Sequence, residues 1–205
     1  MRRLLLATVA AVLLTGGVAE AVGFGANLRR PVNSNTSCQG LIFFQQVPSC
    51  SFSTSASPTS TAESMIVPGN GRINRVRIKV GPQTGPMRVT IAQALRREDA
   101  GEAACCTGRR QSRVLRPRPN RTTTFSVNLP VRSTFNSRSR YYAFDVMFLT
   151  MENPNTPIPA SLDDPNTGNC SGGWFPAIRP GVENFSGPYG VCGATILLRA
   201  NWVRR

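Results

Sequence analysis

Histidine is absent from the 205 residues, and lysine occurs once, at position 79. Without an imidazole, the chain cannot form a Ser-His-Asp or Cys-His catalytic site or a His-ligated metal centre. A Ser-Lys dyad would have to use Lys79, which alternates with arginines in a pattern typical of a solvent-facing strand. A catalytic lysine needs burial to lower its pKa, so we expect no such dyad.

Sequence motifs for zinc thiolates, nucleotides and serine hydrolases are also missing. The chain has no C-x-x-C pair, no G-x-S-x-G elbow, no Walker loop and no G-x-G-x-x-G fingerprint. The sequence therefore predicts neither a metal site nor a cofactor, and no catalytic residue is assigned.

Long apolar runs are lacking after residue 14. Arg2 and Arg3 precede the short apolar stretch 4–14, and Ala19-Glu20-Ala21 fits a signal-peptidase site. The run is too short for a bilayer span of about 20 residues. We therefore expect a signal peptide at 1–21, cleaved after Ala21, and a protein that is secreted, extracellular or associated with the cell envelope. The alternative is a retained membrane anchor.

Helical periodicity is scarce, whereas apolar and polar residues alternate with a period of two in several segments, as in half-buried strands. Strands are predicted at 75–80, 87–91, 124–131, 141–149 and 194–202. The Gly/Pro-rich residues 81–86 predict a hairpin joining the first two, and Pro130 predicts an edge position for the third. The fourth is apolar on both faces, which indicates a central strand. Loops are expected at 51–64, 96–121 and 152–190.

These patterns favour an all-β fold, a single antiparallel β-sandwich or jelly-roll-like domain stabilised by disulfides. We divide the chain into the signal peptide at 1–21, an N-terminal segment with a Ser/Thr-rich loop at 22–64, and the β-sandwich domain at 65–205.

Residues 65–150 resemble a group of exported β-sandwich proteins of unknown function from GC-rich bacteria. The resemblance is carried by Val67-Pro68, the run Arg75-Val76-Arg77-Ile78-Lys79-Val80-Gly81, Gly85-Pro86-Met87-Arg88-Val89, Cys105-Cys106 and the run from Thr122 to Val131. It implies the fold and export, but no activity.

Basic residues outnumber acidic ones by 24 to 10, for a formal net charge of +14. A field this positive attracts anionic polymers without specifying one. If 81–86 were a hairpin loop, Lys79 would face Arg88 and both would share a face with Arg75 and Arg77. We predict an anion-binding surface formed by Arg75, Arg77, Lys79, Arg88, Arg109 and Arg110, which would dock to an anionic envelope polymer or glycan. Few aromatic residues lie among these arginines, so nucleic acid is not the expected partner. The alternative is a solvated basic surface.

Aromatic residues on the Gly/Pro-rich segment after residue 170 suggest a second function. Trp174, Phe175 and Tyr189 could form a stacking platform for sugars in a lectin-like module, or could pack this segment onto the sandwich.

Paired carboxylates are the remaining enzymatic option, as in glycosidases. The candidates are Asp145, Glu152, Asp163, Asp164 and Glu183. Asp145 lies in an apolar strand, where the alternative is a structural Asp–Arg pair. Residues 163–169 carry clustered oxygen ligands that calcium could use, but their order departs from the EF-hand loop and is also typical of turns. We favour a protein that is not an enzyme.

The six cysteines, Cys38, Cys50, Cys105, Cys106, Cys170 and Cys192, favour disulfides. Local pairing joins Cys38 to Cys50 and Cys170 to Cys192, and leaves Cys105 for Cys106. A vicinal bridge is strained, because adjacent α-carbons lie about 3.8 Å apart and disulfides usually join α-carbons about 4.4–6.8 Å apart. Strain makes a bridge easier to reduce. In the alternative, Cys105 and Cys106 bond to different distant partners.

Overall fold

A computed structural model describes residues 21–41, 46–56, 63–97, 103–136, 141–162, 169–183 and 189–204. The predicted signal peptide lies almost entirely outside the described residues. The secondary structure comprises thirteen strands and one four-residue helix, α1 (Cys38–Leu41). The strands are β1 (Ala21–Gly25), β2 (Cys50–Ala56), β3 (Gly71–Lys79), β4 (Met87–Arg97), β5 (Ala103–Gln111), β6 (Thr122–Val131), β7 (Ser133–Asn136), β8 (Tyr141–Met151), β9 (Ala160–Leu162), β10 (Asn169–Trp174), β11 (Tyr189–Cys192), β12 (Ala194–Ile196) and β13 (Leu198–Arg204).

Two antiparallel sheets pack together, which confirms the predicted all-β fold. The smaller sheet has the order β1-β13-β3-β6. The larger sheet has the order β11-β10-β2-β8-β4-β5, and β7 also pairs with β8. A third, two-stranded sheet joins β9 and β12. Residues 22–64 contribute β1 to the smaller sheet and β2 to the larger one.

The core follows from strand alternation in the larger sheet. Val89, Ile91 and Leu149 lie on one face and are fully buried. Phe148 and Thr150 lie on the opposite face, which segment 175–180 covers, since the Ile178 amide donates to Ser51 Oγ. The doubly covered central strand predicted at 141–149 is confirmed as β8, which lies between β2 and β4.

The predicted hairpin between 75–80 and 87–91 is wrong, although both strands are present. β3 pairs with β13 and β6, whereas β4 pairs with β5 and β8, so residues 80–86 cross from one sheet to the other. Pro82 and Pro86 lack the amide donors of a hairpin ladder. The residues after β3 bond to the segment before β6, through Asn120 N to Gly81 O at 2.9 Å.

Four strands fall where loops were expected, and one of them is the short β9 within 152–190. β2 occupies much of the Ser/Thr-rich segment, β5 contains the two adjacent cysteines, and β10 lies in the long Gly/Pro-rich segment. In β2, hydroxyls replace apolar contacts: Ser51 Oγ and Thr150 Oγ1 lie 2.7 Å apart, and Thr150 Oγ1 lies 2.8 Å from Thr90 Oγ1 on β4. Because the buried hydroxyls of β2 have partners, this polar strand can occupy the interior.

Three disulfides join Cys38 to Cys50, Cys105 to Cys106 and Cys170 to Cys192. The last one links directly opposed residues of β10 and β11. The pairing matches the local alternative, and disulfides of this kind indicate an oxidising compartment. In the described part of the chain, no helix is long and apolar enough to cross a membrane.

Candidate anion-binding surface

Strand β3 positions the basic residues of the smaller sheet. Val76 and Ile78 point into the core and are fully buried, so alternation turns Arg75, Arg77 and Lys79 outward. A bulge between Ile73 and Arg75 shifts the register and leaves Arg72 on the outward side as well.

Strand β13 adds a fifth cation, because Arg199 lies directly opposite Arg77. Like charges on adjacent strands destabilise a sheet unless solvent or an anion relieves them. Arg199 reaches away from Arg77: its NH2 atom would lie 3.0 Å from a Cβ placed on Gly23 of β1, and its NH1 lies 3.5 Å from the Ala26 carbonyl oxygen. Glycine at position 23 therefore leaves room for the guanidinium.

We call this set the arginine face: Arg72, Arg75, Arg77, Lys79 and Arg199. The four strands that form its sheet contain no aspartate or glutamate. Within the described residues, the side chains of Arg72, Arg75 and Arg77 make neither a hydrogen bond nor an ion pair. Lys79 Nζ donates to the Arg30 carbonyl oxygen at one end of the face. The result is a row of cations that no acidic side chain on its own sheet offsets.

The remaining predicted anion-binding residues lie elsewhere. Arg88 is on the larger sheet, where Nε is 2.8 Å from Glu152 Oε1 and NH1 donates to the Ser112 carbonyl. Arg109 and Arg110 lie on edge strand β5, and Arg109 donates to Gln93 Oε1. The expected single surface is therefore wrong, because it depended on the incorrect hairpin. Arg72 and Arg199 were missed: a bulge hides the first from a period-two pattern, and strand pairing alone reveals the second.

The predicted sugar platform is not formed at Trp174. Its indole is 6% exposed and packs edge-on against Phe148, with ring centroids 5.0 Å apart. Phe175 is half-buried and packs in the same manner on Phe52. The side chain of Tyr189 lies outside the described residues. For Trp174 and Phe175, the structure supports the packing alternative.

The acidic residues do not converge on Asp145. Glu152 follows the end of β8, seven residues after Asp145 and about 23 Å away at the usual rise of a strand, whereas glycosidase carboxyls lie roughly 5–9.5 Å apart. Glu152 is also paired with Arg88. Glu183 is exposed and bridges to Thr107 on edge strand β5. Asp163, Asp164 and the rest of the proposed calcium loop up to residue 168 lie outside the described residues, and the described ones contain no cluster of three potential metal ligands.

Asp145 itself is 5% exposed, and its carboxylate accepts one hydrogen bond, from the Arg132 backbone amide at 2.7 Å. The expected ion pair with an arginine side chain is replaced by this amide contact. Burial raises the pKa of Asp145 above its usual value, although the amide and the charges of Arg109, Arg110 and Arg132 oppose the shift.

This raised pKa predicts a pH effect on stability. Because the folded-state pKa exceeds the unfolded one, Asp145 favours folding most below about pH 3.9, the usual aspartate pKa, and this contribution is lost as the pH rises through the folded-state pKa. Relative to the Asp145→Asn variant, wild type should therefore lose stability between pH 3.5 and pH 7. Urea denaturation of both proteins at the two pH values measures this, and a stability difference that does not change with pH contradicts it.

Comparisons with known proteins do not identify the chain: no family model, no curated protein and no solved structure matches it. The resemblance over residues 65–150 therefore stays a prediction, and proposals about function depend on the geometry alone.

Proposed function

We propose that this protein is an exported, non-catalytic β-sandwich protein that docks onto an anionic polymer of the cell envelope through the arginine face. The observation that carries the proposal is that Arg72, Arg75 and Arg77 project from one sheet without an intramolecular partner within the described residues. Export is inferred from the predicted signal peptide and agrees with the three disulfides.

Charge alone does not explain the arrangement. An arginine that serves only to keep the protein soluble can be placed anywhere on the surface, and adjacent like charges cost stability. Here Arg77 and Arg199 are cross-strand neighbours, and Arg75 and Lys79 flank Arg77 on β3. A bound polyanion would relieve this repulsion. The clustering of positive charge is therefore better explained by a role in polyanion binding than by a role in keeping the protein soluble.

The decisive test removes three charges from the face and compares the result with removal of three charges elsewhere. The face variant is Arg72→Gln/Arg75→Gln/Arg77→Gln. The control, Arg96→Gln/Arg113→Gln/Arg116→Gln, alters exposed residues of β4 and segment 113–116 and changes the net charge equally. Binding of the mature protein to immobilised polyphosphate and polygalacturonate is measured at several salt concentrations.

At about 1 kcal/mol per basic residue near an anionic surface, the face variant should bind roughly 100-fold more weakly than wild type at low salt. The dependence of log affinity on log salt should also become shallower, by up to about one per arginine removed. The control variant should retain most of the affinity. Equal losses in both variants would show that net charge, and not this face, governs binding.

A further inference from the structure

The cations on β3 repeat at a fixed distance. Arg75, Arg77 and Lys79 occupy alternate positions on one face, with no register shift between them. Each step is two residues, or six backbone bonds, and spans about 6.6–6.8 Å in a strand. The face is therefore a linear ladder of positive charge with a defined spacing.

A ladder of this kind matches phosphodiester polymers with six backbone bonds between successive phosphorus atoms, a spacing that polyol phosphates share with nucleic acids. In a polyol-phosphate chain with three-carbon units, successive phosphorus atoms are separated by six backbone bonds. Six such bonds span about 7 Å when extended, by the same covalent geometry that gives one residue about 3.3–3.6 Å for three bonds. We propose that the arginine face binds a polyol-phosphate chain aligned with β3, with successive phosphates facing Arg75, Arg77 and Lys79. This inference rests on the proposed function and names its ligand class.

Guanidinium chemistry supports phosphate as the anion. Arginine presents a planar fork of donors that can bind two phosphate oxygens at once, and it is less strongly hydrated than lysine. Two of the three positions on the ladder are arginine. Arg199 lies opposite Arg77 on the neighbouring strand, about 4.8 Å away between backbones at the usual strand separation, and its guanidinium extends over Gly23 of β1. The middle phosphate would therefore meet the Arg77 guanidinium, and Arg199 would add positive charge on the β1 side of the ladder.

The neighbouring positions suit a polyol backbone and not a nucleobase. Ser126 and Thr124 lie directly opposite Arg75 and Arg77 on edge strand β6, and Asn201 lies opposite Arg75 on β13. Their hydroxyl and amide groups can bond to the free hydroxyls of the polyol. The aromatic side chains of these strands, Phe24, Phe125 and Trp202, are buried or half-buried and pack with the core. Single-stranded nucleic acids rely on exposed rings for stacking, so these strands lack the platform that bases require.

The experiment uses the mature protein and three probes with the same number of charges at one salt concentration: poly(glycerol phosphate), polygalacturonate and single-stranded DNA. We expect poly(glycerol phosphate) to bind about tenfold more tightly than polygalacturonate, the effect of one well-matched pair of charge-assisted hydrogen bonds. We expect it also to bind more tightly than single-stranded DNA, which has the same phosphate spacing but whose bases find no exposed ring to stack on. Equal affinity for polygalacturonate, or tighter binding of DNA, would overturn the inference and leave a general polyanion surface. Failure to bind any of the three at low salt would overturn the proposed function as well.

A charge-conserving variant tests the spacing directly. Arg77→Thr/Thr124→Arg moves one guanidinium to the directly opposed position on β6, so the net charge is kept and the ladder is interrupted. The variant should lose the preference for poly(glycerol phosphate) while its affinity for polygalacturonate stays within about twofold, since the moved charge remains on the same face of the sheet. An unchanged thermal unfolding temperature verifies the fold, and a retained preference shows that spacing plays no part.

Discussion

Gly108→Ala should lower the free energy of unfolding by about 2–4 kcal/mol, as expected when an atom is forced into a filled site. Gly108 lies on β5 and is buried beneath segment 179–182. Its amide donates to the Val182 carbonyl at 3.0 Å, and its carbonyl accepts from the Gly181 amide at 2.9 Å. A Cβ at this position would overlap the Arg179 carbonyl group. Because the obstacle is backbone held by hydrogen bonds on both sides, it cannot rotate aside as a side chain would.

Gly190→Ala on β11 is the matched control. A Cβ at Gly190 meets no atom within 4 Å and the residue is exposed, so its stability should change by less than about 0.5 kcal/mol. Urea denaturation of wild type and both variants measures the difference. If Gly108→Ala is as mild as Gly190→Ala, segment 179–182 does not pack on β5 as described.

Phe148→Ala should destabilise the fold at least as much as Gly108→Ala, lowering the free energy of unfolding by about 3–5 kcal/mol, as is typical of a fully buried phenylalanine. Phe148 lies at the centre of the larger sheet, has no exposed surface and contacts the Trp174 ring edge-on. Removal of its ring leaves a cavity between β8 and segment 174–178. Strand β8 is held by hydrogen bonds to β2 on one side and to β4 on the other. The cavity therefore has little scope to collapse.

Phe125→Ala provides the comparison, because Phe125 is half-buried on edge strand β6. Phe125→Ala should lower the free energy of unfolding by clearly less than Phe148→Ala, since part of the Phe125 ring is already exposed to solvent and an edge strand can shift to fill the space. Indole fluorescence offers an independent readout in a Trp202→Phe background, where Trp174 is the remaining tryptophan. There, Phe148→Ala should alter the emission spectrum of the folded protein, whereas Phe125→Ala should not. Equal losses of stability would contradict the assignment of Phe148 to the centre of the core.

The sequence was informative where one face of a strand is apolar and the other is polar. Alternation located β3, β4 and β6, an apolar run located β8, and Pro130 indicated that β6 lies at an edge, as it does. Strands β2 and β10 were missed because many of their buried residues are serine, threonine or glycine, and the burial of the hydroxyls depends on partners from other strands. These hydrogen bonds form only between strands of the assembled sheet, so no local sequence pattern predicts them.

Strand pairing could not be inferred from neighbours in the chain. Residues 80–86 have the composition of a hairpin turn but connect two sheets, and this difference moved Arg88 away from Arg75 and Arg77. Conversely, Arg199 joins Arg77 although more than a hundred residues separate them. Of the arginine face, the sequence therefore predicted only Arg75, Arg77 and Lys79, which alternate along a single strand and need no knowledge of strand pairing.

The pairing of β1 with β13 also constrains the order of folding. The first described strand and the last one are partners, and β13 separates β1 from β3 in the smaller sheet. Until residues 198–204 emerge during synthesis, β1 has no neighbour and β3 lacks one of its two. Such distant pairings are slow to form because the intervening chain must first be brought together. The ladder of cations on β3 can thus acquire its flank, Arg199 over Gly23, only after the C-terminal strand has paired with both β3 and β1, so the complete charged surface reports that this long-range pairing has formed.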